Sequence, residues 1–288
     1  AWLALLLLSS HEVVYRAGLA MLEQNPVAHA GNVRLLTALL LARSQEVRRH
    51  SRLLCQIAVQ HLGVAEAVIA AVFAELELVD AHTQAIDAIC ENISWVLAQP
   101  FKGALAAMPY PKLLSLLNHP AEAVVIVAVE AMIVHPKTQT DLPAAAFSTL
   151  LASPAPQILA AGVRLLATLP TPILCTQAPM LARFCLCEYP EVRTAAYGVV
   201  SRLIDERHFI AELMPQLLDA LFRSESSAGL HDDLFLLLSG ALAEQVIAPS
   251  TMMWLLQARS RGAQRYGVWL LARSDEDCIS LPDWIALT

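Results

Sequence analysis

The sequence predicts an all-α protein of stacked helix pairs, an α-α superhelix of about seven to eight pairs. Apolar residues recur at i, i+3, i+4 and i+7, the spacing that lines one face of a helix, and alternation of period two is nearly absent. Amphipathic helices begin after turns at intervals of roughly 35–40 residues, with one gap of two intervals, and this period is typical of α-solenoids. These recurring starts are Glu12, Glu46, Glu122, Gln157 and Glu191.

The same spacing divides the chain into helix pairs separated by turns that carry Pro, Asn or Ser. The predicted pairs are 2–8 with 11–24, 32–42 with 46–61, 64–78 with 83–98, 111–117 with 122–134, 143–151 with 157–168, 173–187 with 191–205, 209–222 with 230–245, and 250–259 with 262–273. No linker rich in Gly, Ser or charge interrupts them, which predicts one continuous solenoid over residues 1–288. Because the chain begins inside an apolar run without Met, we expect a fragment of a longer or processed protein.

Composition indicates extensive burial. Hydrophobic residues make up 57% of the chain and charged residues 16%, against about 25% charged in ordinary soluble domains. The stretch 142–163 carries no charge, but Pro143, Pro154 and Pro156 interrupt it and predict a helix–turn–helix rather than a membrane span. Six cysteines lie mostly within apolar helical patterns, which favours free buried thiols and an intracellular, cytoplasmic location.

Charge is unevenly distributed along the chain. Residues 1–60 hold six arginines and three acids, whereas residues 61–100 hold six acids and no Lys or Arg. The net charge of −7 argues against a general nucleic-acid binder. Arg16, Arg48, Arg49 and Arg52 form the candidate binding patch, with Arg48 and Arg52 on one helix face by i, i+4 spacing. The patch is either a solvated face partly neutralised by Glu46 or a site for an acidic partner segment or phosphate.

The middle of the chain is poor in charge. Residues 103–182 contain only six charged side chains. Two interpretations follow. One is an exposed apolar surface near 142–151 and 173–181 that docks on another protein. The other is a thick core beneath a surface of Ala, Ser and Thr.

Two segments resemble the start of the second helix of a HEAT repeat. They are Pro190-Glu191-Val192-Arg193-Thr194-Ala195-Ala196, followed by Leu203, and Ser44-Gln45-Glu46-Val47-Arg48-Arg49, followed by Leu53. A weaker copy without the arginine covers 120–132. The chain thus resembles HEAT/armadillo-like helical-repeat proteins over most of its length. That resemblance implies a concave binding face formed by the second helices. Because HEAT-like proteins have many unrelated functions, it does not imply a particular one.

The candidate catalytic and metal-binding motifs in the sequence each lack a residue or an arrangement that the chemistry requires. The run His11-Glu12-Val13-Val14-Tyr15 begins like a zinc-protease helix, but Tyr15 replaces the second His. It also resembles one His-Glu pair of HEAT-like deoxyhypusine hydroxylase, a family that needs several such pairs. The side chains of Cys185-x-Cys187 and of His231-Asp232-Asp233 would point in different directions from a helix. They would therefore not converge easily on one metal ion. We therefore predict no catalytic residue, no cofactor and no metal.

The leading functional hypothesis is a non-catalytic scaffold or adaptor that binds other proteins through its concave face and charge-poor centre, within a larger complex. The alternative is a nucleic-acid enzyme similar to the HEAT-like DNA alkylation-repair glycosylases. Its tryptophans would be Trp95, with Asp87 or Glu91 nearby, and Trp254 or Trp269, with Arg265. A similarity to phycobilin lyases rests on the repeats alone.

Overall fold

The computed structural model describes residues 2–274, and every regular element within them is helical. These residues form nineteen α-helices and one 3-10 helix. The prediction of an all-α protein is confirmed. The chain divides into two compact units, Ala1–Leu165 (unit 1) and Leu166–Thr288 (unit 2), which are described separately below. The prediction of one continuous solenoid over residues 1–288 stays a prediction.

Unit 1 contains eleven complete α-helices and the 3-10 helix η1, and α12 carries the chain to its boundary. The elements are α1 (Trp2–Leu7), α2 (Glu12–Gln24), α3 (Pro26–His29), α4 (Val33–Leu40), α5 (Gln45–Ala58), α6 (Val64–Leu76), α7 (Ile86–Ala98), η1 (Lys102–Ala107), α8 (Tyr110–Leu116), α9 (Glu122–Val134), α10 (Thr138–Asp141), α11 (Ala144–Leu151) and α12 (Pro156–Leu166).

Helices of unit 1 pack in two layers. In the first layer α1 contacts α4, α4 contacts α6, and α6 contacts η1; in the second layer α2 contacts α5, α5 contacts α7, and α7 contacts α9. Pairs adjacent in sequence, such as α4 with α5 and α8 with α9, join the layers. One continuous apolar core fills the space between the layers, with Leu36, Leu54 and Phe73 among its fully buried members.

Helix α9 is the most deeply buried helix of the second layer. Its sequence is apolar almost all round, and eight of its thirteen residues are buried. A helix without a polar face is stable only when neighbours cover most of its surface. Helices α7, α8, α10 and η1 provide that cover. The half-exposed positions of α9 include Ile126 and Glu130, which both lie on the side of α7 and α12.

Unit 2 contains α13 (Thr171–Cys175), α14 (Ala178–Cys185), α15 (Pro190–Val200), α16 (Arg207–Phe222), α17 (Leu230–Ser239), α18 (Pro249–Gln257) and α19 (Arg261–Leu271). Contacts again join helices two apart, α14 with α16, α15 with α17, and α17 with α19. Leu181, Val192 and Phe209 are fully buried in its core. A smaller apolar cluster around Met252 and Met253 joins α18 to α19.

Several predicted helices differ from the structure. The predicted helices 191–205 and 230–245 end earlier, at Val200 and Ser239. Two further differences have an evident cause. The predicted helix 173–187 is two helices, α13 and α14, because Pro179 lies at the start of α14 and lacks the N–H that a continuous helix would need. The predicted helix 83–98 begins three residues later. Its N-cap, Ala85, adopts a left-handed conformation with φ of 63°. A right-handed helix cannot include such a residue, so the helix starts after it.

Among the described residues, no helix is both long enough and apolar enough to cross a membrane.

Candidate functional site

Arg48 lies on α5 and is buried. Its Nη1 donates hydrogen bonds to the main-chain carbonyls of Ala42 (2.8 Å) and Arg43 (2.7 Å), at the end of the preceding helix α4. Only 7% of Arg48 is exposed, and burial lowers the pKa of its guanidinium, an effect that the nearby Glu91 opposes and Arg52 reinforces. The guanidinium therefore holds the α4–α5 turn together from inside the protein.

Arg193 makes the same arrangement in unit 2. Its Nη1 donates to the carbonyls of Cys187 (3.0 Å) and Glu188 (3.1 Å), which follow the end of α14. Its Nε and Nη2 bind Oδ2 of Asp233 on α17, at 2.7 and 2.6 Å, and only 1% of the residue is exposed. Both arginines lie four residues after the N-cap of their helix and bond to the carbonyls five and six residues before them.

A second set of contacts links α5 to α7. Asn92 is buried, donates from Nδ2 to the Ser51 hydroxyl (3.1 Å), and accepts at Oδ1 from Nε of Arg52 (2.9 Å). The Arg52 guanidinium also lies 4.9 Å from the ring centre of Trp95. These contacts fix one face of Arg52 and one face of Trp95, so both side chains are oriented by the α5–α7 packing.

The remaining two arginines of the predicted patch lie on the surface. Arg16 is 61% exposed and forms ion pairs with Glu12 (2.9 Å) and Glu46 (3.7 Å). Arg49 is exposed on α5. The structure thus brings Arg16 close to the start of α5. Arg48, in contrast, is buried and does not belong to the same exposed surface. A binding role for Arg16, Arg49 and Arg52 stays a prediction, whereas the Arg48 guanidinium is occupied by main-chain carbonyls.

A groove of about 490 Å³ opens between α7, α9 and the start of α12, all within unit 1. Along α7 it is lined by side chains at i, i+4 and i+7, and along α9 by side chains at i, i+3 and i+7, which are the spacings of one helix face. The α7 stripe is Asp87, Glu91 and Ser94, and the α9 stripe is Ala123, Ile126 and Glu130.

The groove has an apolar floor and an acidic rim. Ala123, Ile126 and the Cys90 thiol form the floor. Burial, with Asp87 adding to it, raises the pKa of Cys90 to about 12, so this thiol is neutral at physiological pH. On the α9 side, Glu130 is paired with Arg164 of α12 at 2.5 Å.

On the α7 side, Asp87 and Glu91 are both exposed. Neither is in an ion pair with any residue between 2 and 274. The α7 rim therefore presents two carboxylates to solvent. Sequence reasoning considered these acids only as companions of Trp95. The polar i, i+4, i+7 stripe on α7 is the sequence signal that points to the groove, whereas the half-exposure of Ile126 is visible only in the structure.

The two charge-poor segments present a surface of small residues. The exposed side chains of α11 are Ala144, Ala145, Ser148 and Thr149, whereas Ala146, Phe147 and Leu151 are half-buried and Leu150 is buried. In residues 173–181, Ile173 is the one large apolar side chain that is exposed among those described. This favours the interpretation of a thick core beneath Ala, Ser and Thr over an apolar docking surface at 142–151.

The residues of the rejected metal-binding and catalytic motifs have structural roles or lie in common positions of the fold. His11 is the exposed N-cap of α2, and Cys185 is buried while Cys187 is half-buried. Asp233 binds Arg193 and Asp232 binds Arg265, which itself lies over the Phe235 ring.

The C-terminal tryptophans differ in exposure. Trp254 is exposed, whereas Trp269 stacks on Tyr266 at 5.7 Å and lies beneath Arg273. Arg265 is thus paired with an acid, and Trp269 lines a cavity of about 250 Å³ in which Arg273 is accompanied by Glu244. Cys278 and Trp284 lie outside the described residues.

Within residues 2–274, no group of three or more His, Cys, Asp or Glu side chains is arranged to hold a metal ion. No protein-family model matches the chain, and a search of the curated proteins finds no significant match.

Proposed function

We propose that this protein is a non-catalytic helical-repeat scaffold that binds protein partners through the surface of its second-layer helices α5, α7 and α9. The observation that carries the proposal is the groove between α7 and α9. It combines an apolar floor with two carboxylates that have no ion-pair partner among residues 2–274, and its volume lies in the range of roughly 300–1,000 Å³ that is typical of ligand-binding clefts.

Two features support a HEAT/armadillo-like solenoid of about seven to eight helix pairs. The Arg48 and Arg193 turns share one register of hydrogen bonds, as equivalent positions of two repeats would. In addition, several side-chain bridges between helices join residues 33 to 40 positions apart, close to the proposed period. In such an array each unit packs chiefly on its neighbours and leaves one extended surface for binding.

The electrostatics of the groove favour a protein over a nucleic acid. Carboxylates on the α7 rim would repel phosphates, whereas nucleic-acid affinity depends on neutralising phosphates with Lys and Arg. The five described cysteines are free, which supports the proposal of a reducing, intracellular and cytoplasmic setting.

Co-purification with matched variants tests this function. Ile126→Glu places a charge on the groove floor, and Leu62→Glu places the same charge on a fully exposed leucine between α5 and α6 of the same unit. After nuclease treatment, we expect a stoichiometric protein partner with wild type and Leu62→Glu but a strongly reduced amount with Ile126→Glu. Equal recovery with all three proteins would remove the groove from the proposal, and recovery only of nucleic-acid-dependent proteins would favour the repair-enzyme alternative.

A further inference from the structure

The spacing of the two unpaired carboxylates defines what can lie in the groove. Asp87 and Glu91 are four residues apart on α7, and at 1.5 Å per residue their Cα atoms are separated by about 6 Å along the helix axis. Ser94 continues the same stripe by about one further turn. The α7 wall thus presents two negative charges in a row, roughly 6 Å apart.

An extended peptide has nearly the same repeat. Side chains at i and i+2 of an extended chain point to the same side and lie about 6.5–7 Å apart, whereas the side chain at i+1 points to the opposite side. A peptide lying along the groove can therefore direct two side chains towards Asp87 and Glu91 and the intervening one towards Ile126 on α9. The acidic α7 rim and the apolar surface formed by Ala123 and Ile126 of α9 differ in chemistry in the way that this alternation requires.

The remaining charges around the groove do not cancel the α7 rim. Arg164 of α12 is bound to Glu130, so this pair leaves no net charge on the α9 side. Arg48 attracts Glu91 electrostatically, but it is buried and hydrogen-bonded to the α4–α5 turn. A cation arriving from solvent therefore meets two carboxylates that have no ion-pair partner within residues 2–274.

We propose that the groove between α7 and α9 binds an extended segment of a partner protein with the order basic–apolar–basic. Asp87 and Glu91 each accept hydrogen bonds from one basic side chain, and Ile126 and Ala123 contact the apolar side chain between them. This inference rests on the proposed scaffold function and specifies its partner at this site.

Peptide binding measured by fluorescence anisotropy at low ionic strength tests the inference. The probe is a labelled Gly/Ser peptide with a central Lys-Leu-Lys, and its two controls carry Lys-Gln-Lys and Glu-Leu-Glu. Wild-type protein is expected to bind the first peptide, to bind the second more weakly and not to bind the third. Removing both carboxylates with Asp87→Asn and Glu91→Gln is expected to weaken Lys-Leu-Lys binding roughly three- to tenfold, the effect of two exposed ion pairs.

The matched control is the double variant Glu66→Gln and Glu75→Gln. These two glutamates are exposed on α6 of the same unit, so the control changes net charge equally without touching the groove. We expect it to retain wild-type affinity. Equal weakening in both double variants, or equal affinity for Lys-Leu-Lys and Lys-Gln-Lys, would overturn the inference, because either result would mean that general acidity attracts the peptide.

The outcome also separates this inference from the scaffold function. If no Lys-Leu-Lys binding is detected while Ile126→Glu abolishes partner recovery, the scaffold stands and the basic–apolar–basic occupant is rejected. If the peptide binds as expected and Ile126→Glu leaves partner recovery unchanged, the groove binds such segments but is not the site that recruits the partner.

Discussion

The turns around Arg48 and Arg193 perform the same structural task with different surroundings. Each guanidinium binds two carbonyls that follow the end of the preceding helix. Arg193 is additionally paired with Asp233, and its Nη1 lies 3.4 Å from the Ser227 hydroxyl. Arg48 has no such ion pair among the described residues: Glu91 and Arg52 act on it only through longer-range electrostatics, and Ser51 and Asn92 connect α5 to α7.

The comparison teaches which part of the arrangement is essential. The carbonyls at a helix end lack intrahelical donors and need partners when buried. Both arginines supply those donors, and in each turn the N–H groups of a single nitrogen, Nη1, reach two carbonyls at once. The carboxylate is present in one turn and missing from the other, so it adds stability to the Arg193 turn without being required for the geometry.

The largest effect is expected for Arg193→Met. The substitution leaves two carbonyls unpaired and removes the buried partner of Asp233, for a loss of about 3 kcal/mol in the free energy of unfolding. Urea unfolding measures this loss. Arg183→Met, at an exposed arginine of α14, is the matched control and should change stability by less than about 0.5 kcal/mol. Equal losses in the two variants would contradict the assigned role of Arg193.

A smaller loss, about 2 kcal/mol, is expected for Arg48→Met. This variant also leaves the Ala42 and Arg43 carbonyls without their donor, but it leaves no carboxylate without a partner. The exposed neighbour Arg49→Met is the control. Arg48→Lys should restore only part of the loss, since the Lys ammonium ends one bond nearer the main chain than Arg Nη1 and is more strongly hydrated. If Arg48→Met destabilises more than Arg193→Met, the stabilising contribution assigned to Asp233 is wrong.

A smaller effect concerns the reactivity of two buried thiols, Cys55 on α5 and Cys185 at the end of α14. Burial raises the pKa of Cys55 and of Cys185 from 9.0 to about 12, so both remain protonated at pH 8 and resist alkylation, which requires the thiolate. We expect Arg48→Met to increase iodoacetamide labelling of Cys55 and Arg193→Met that of Cys185, through local opening. Mass spectrometry of each peptide measures the labelling, with urea-unfolded protein as the fully reactive reference.

The direction of the pH dependence follows from the same pKa values. A raised pKa in the folded state means that folding favours the neutral thiol. The contribution of the neutral thiols of Cys55 and Cys185 to the free energy of unfolding is complete below about pH 9. It is lost as the pH rises towards about 12. A Cys185→Ala variant should therefore lose less stability between these two pH values than wild type. An unchanged loss would show that other groups dominate the alkaline transition.

Helix positions were largely predictable because their causes are local. Periodic apolar residues and turn prolines predicted α5, α9 and α12 closely, and Asn32, in a predicted turn, caps α4 by accepting a hydrogen bond from the Leu35 amide. The exceptions also have local causes that were misread. Pro179 divides the predicted helix 173–187, and the left-handed Ala85 delays the start of α7.

The groove and the burial of Arg48 were not predictable in the same way. Spacing along α5 placed Arg48 and Arg52 on one face, but it could not show that Arg48 is buried behind the end of α4 while Arg52 lies against Trp95. Ile126 was indistinguishable in sequence from the buried residues of α9. Its exposure depends on how α7 and α12 flank that helix.

The sequence by itself determined the helical class, the recurring turns and the shared register of Arg48 and Arg193, because each depends on residues a few positions apart. Tertiary structure alone decided which side chains reach solvent and which carboxylates remain unpaired. These properties depend on helices that are 30 to 40 residues apart in the chain, as Arg164 with Glu130 and Arg52 with Asn92 illustrate. Burial and charge pairing are set by such neighbours, and no local pattern encodes them.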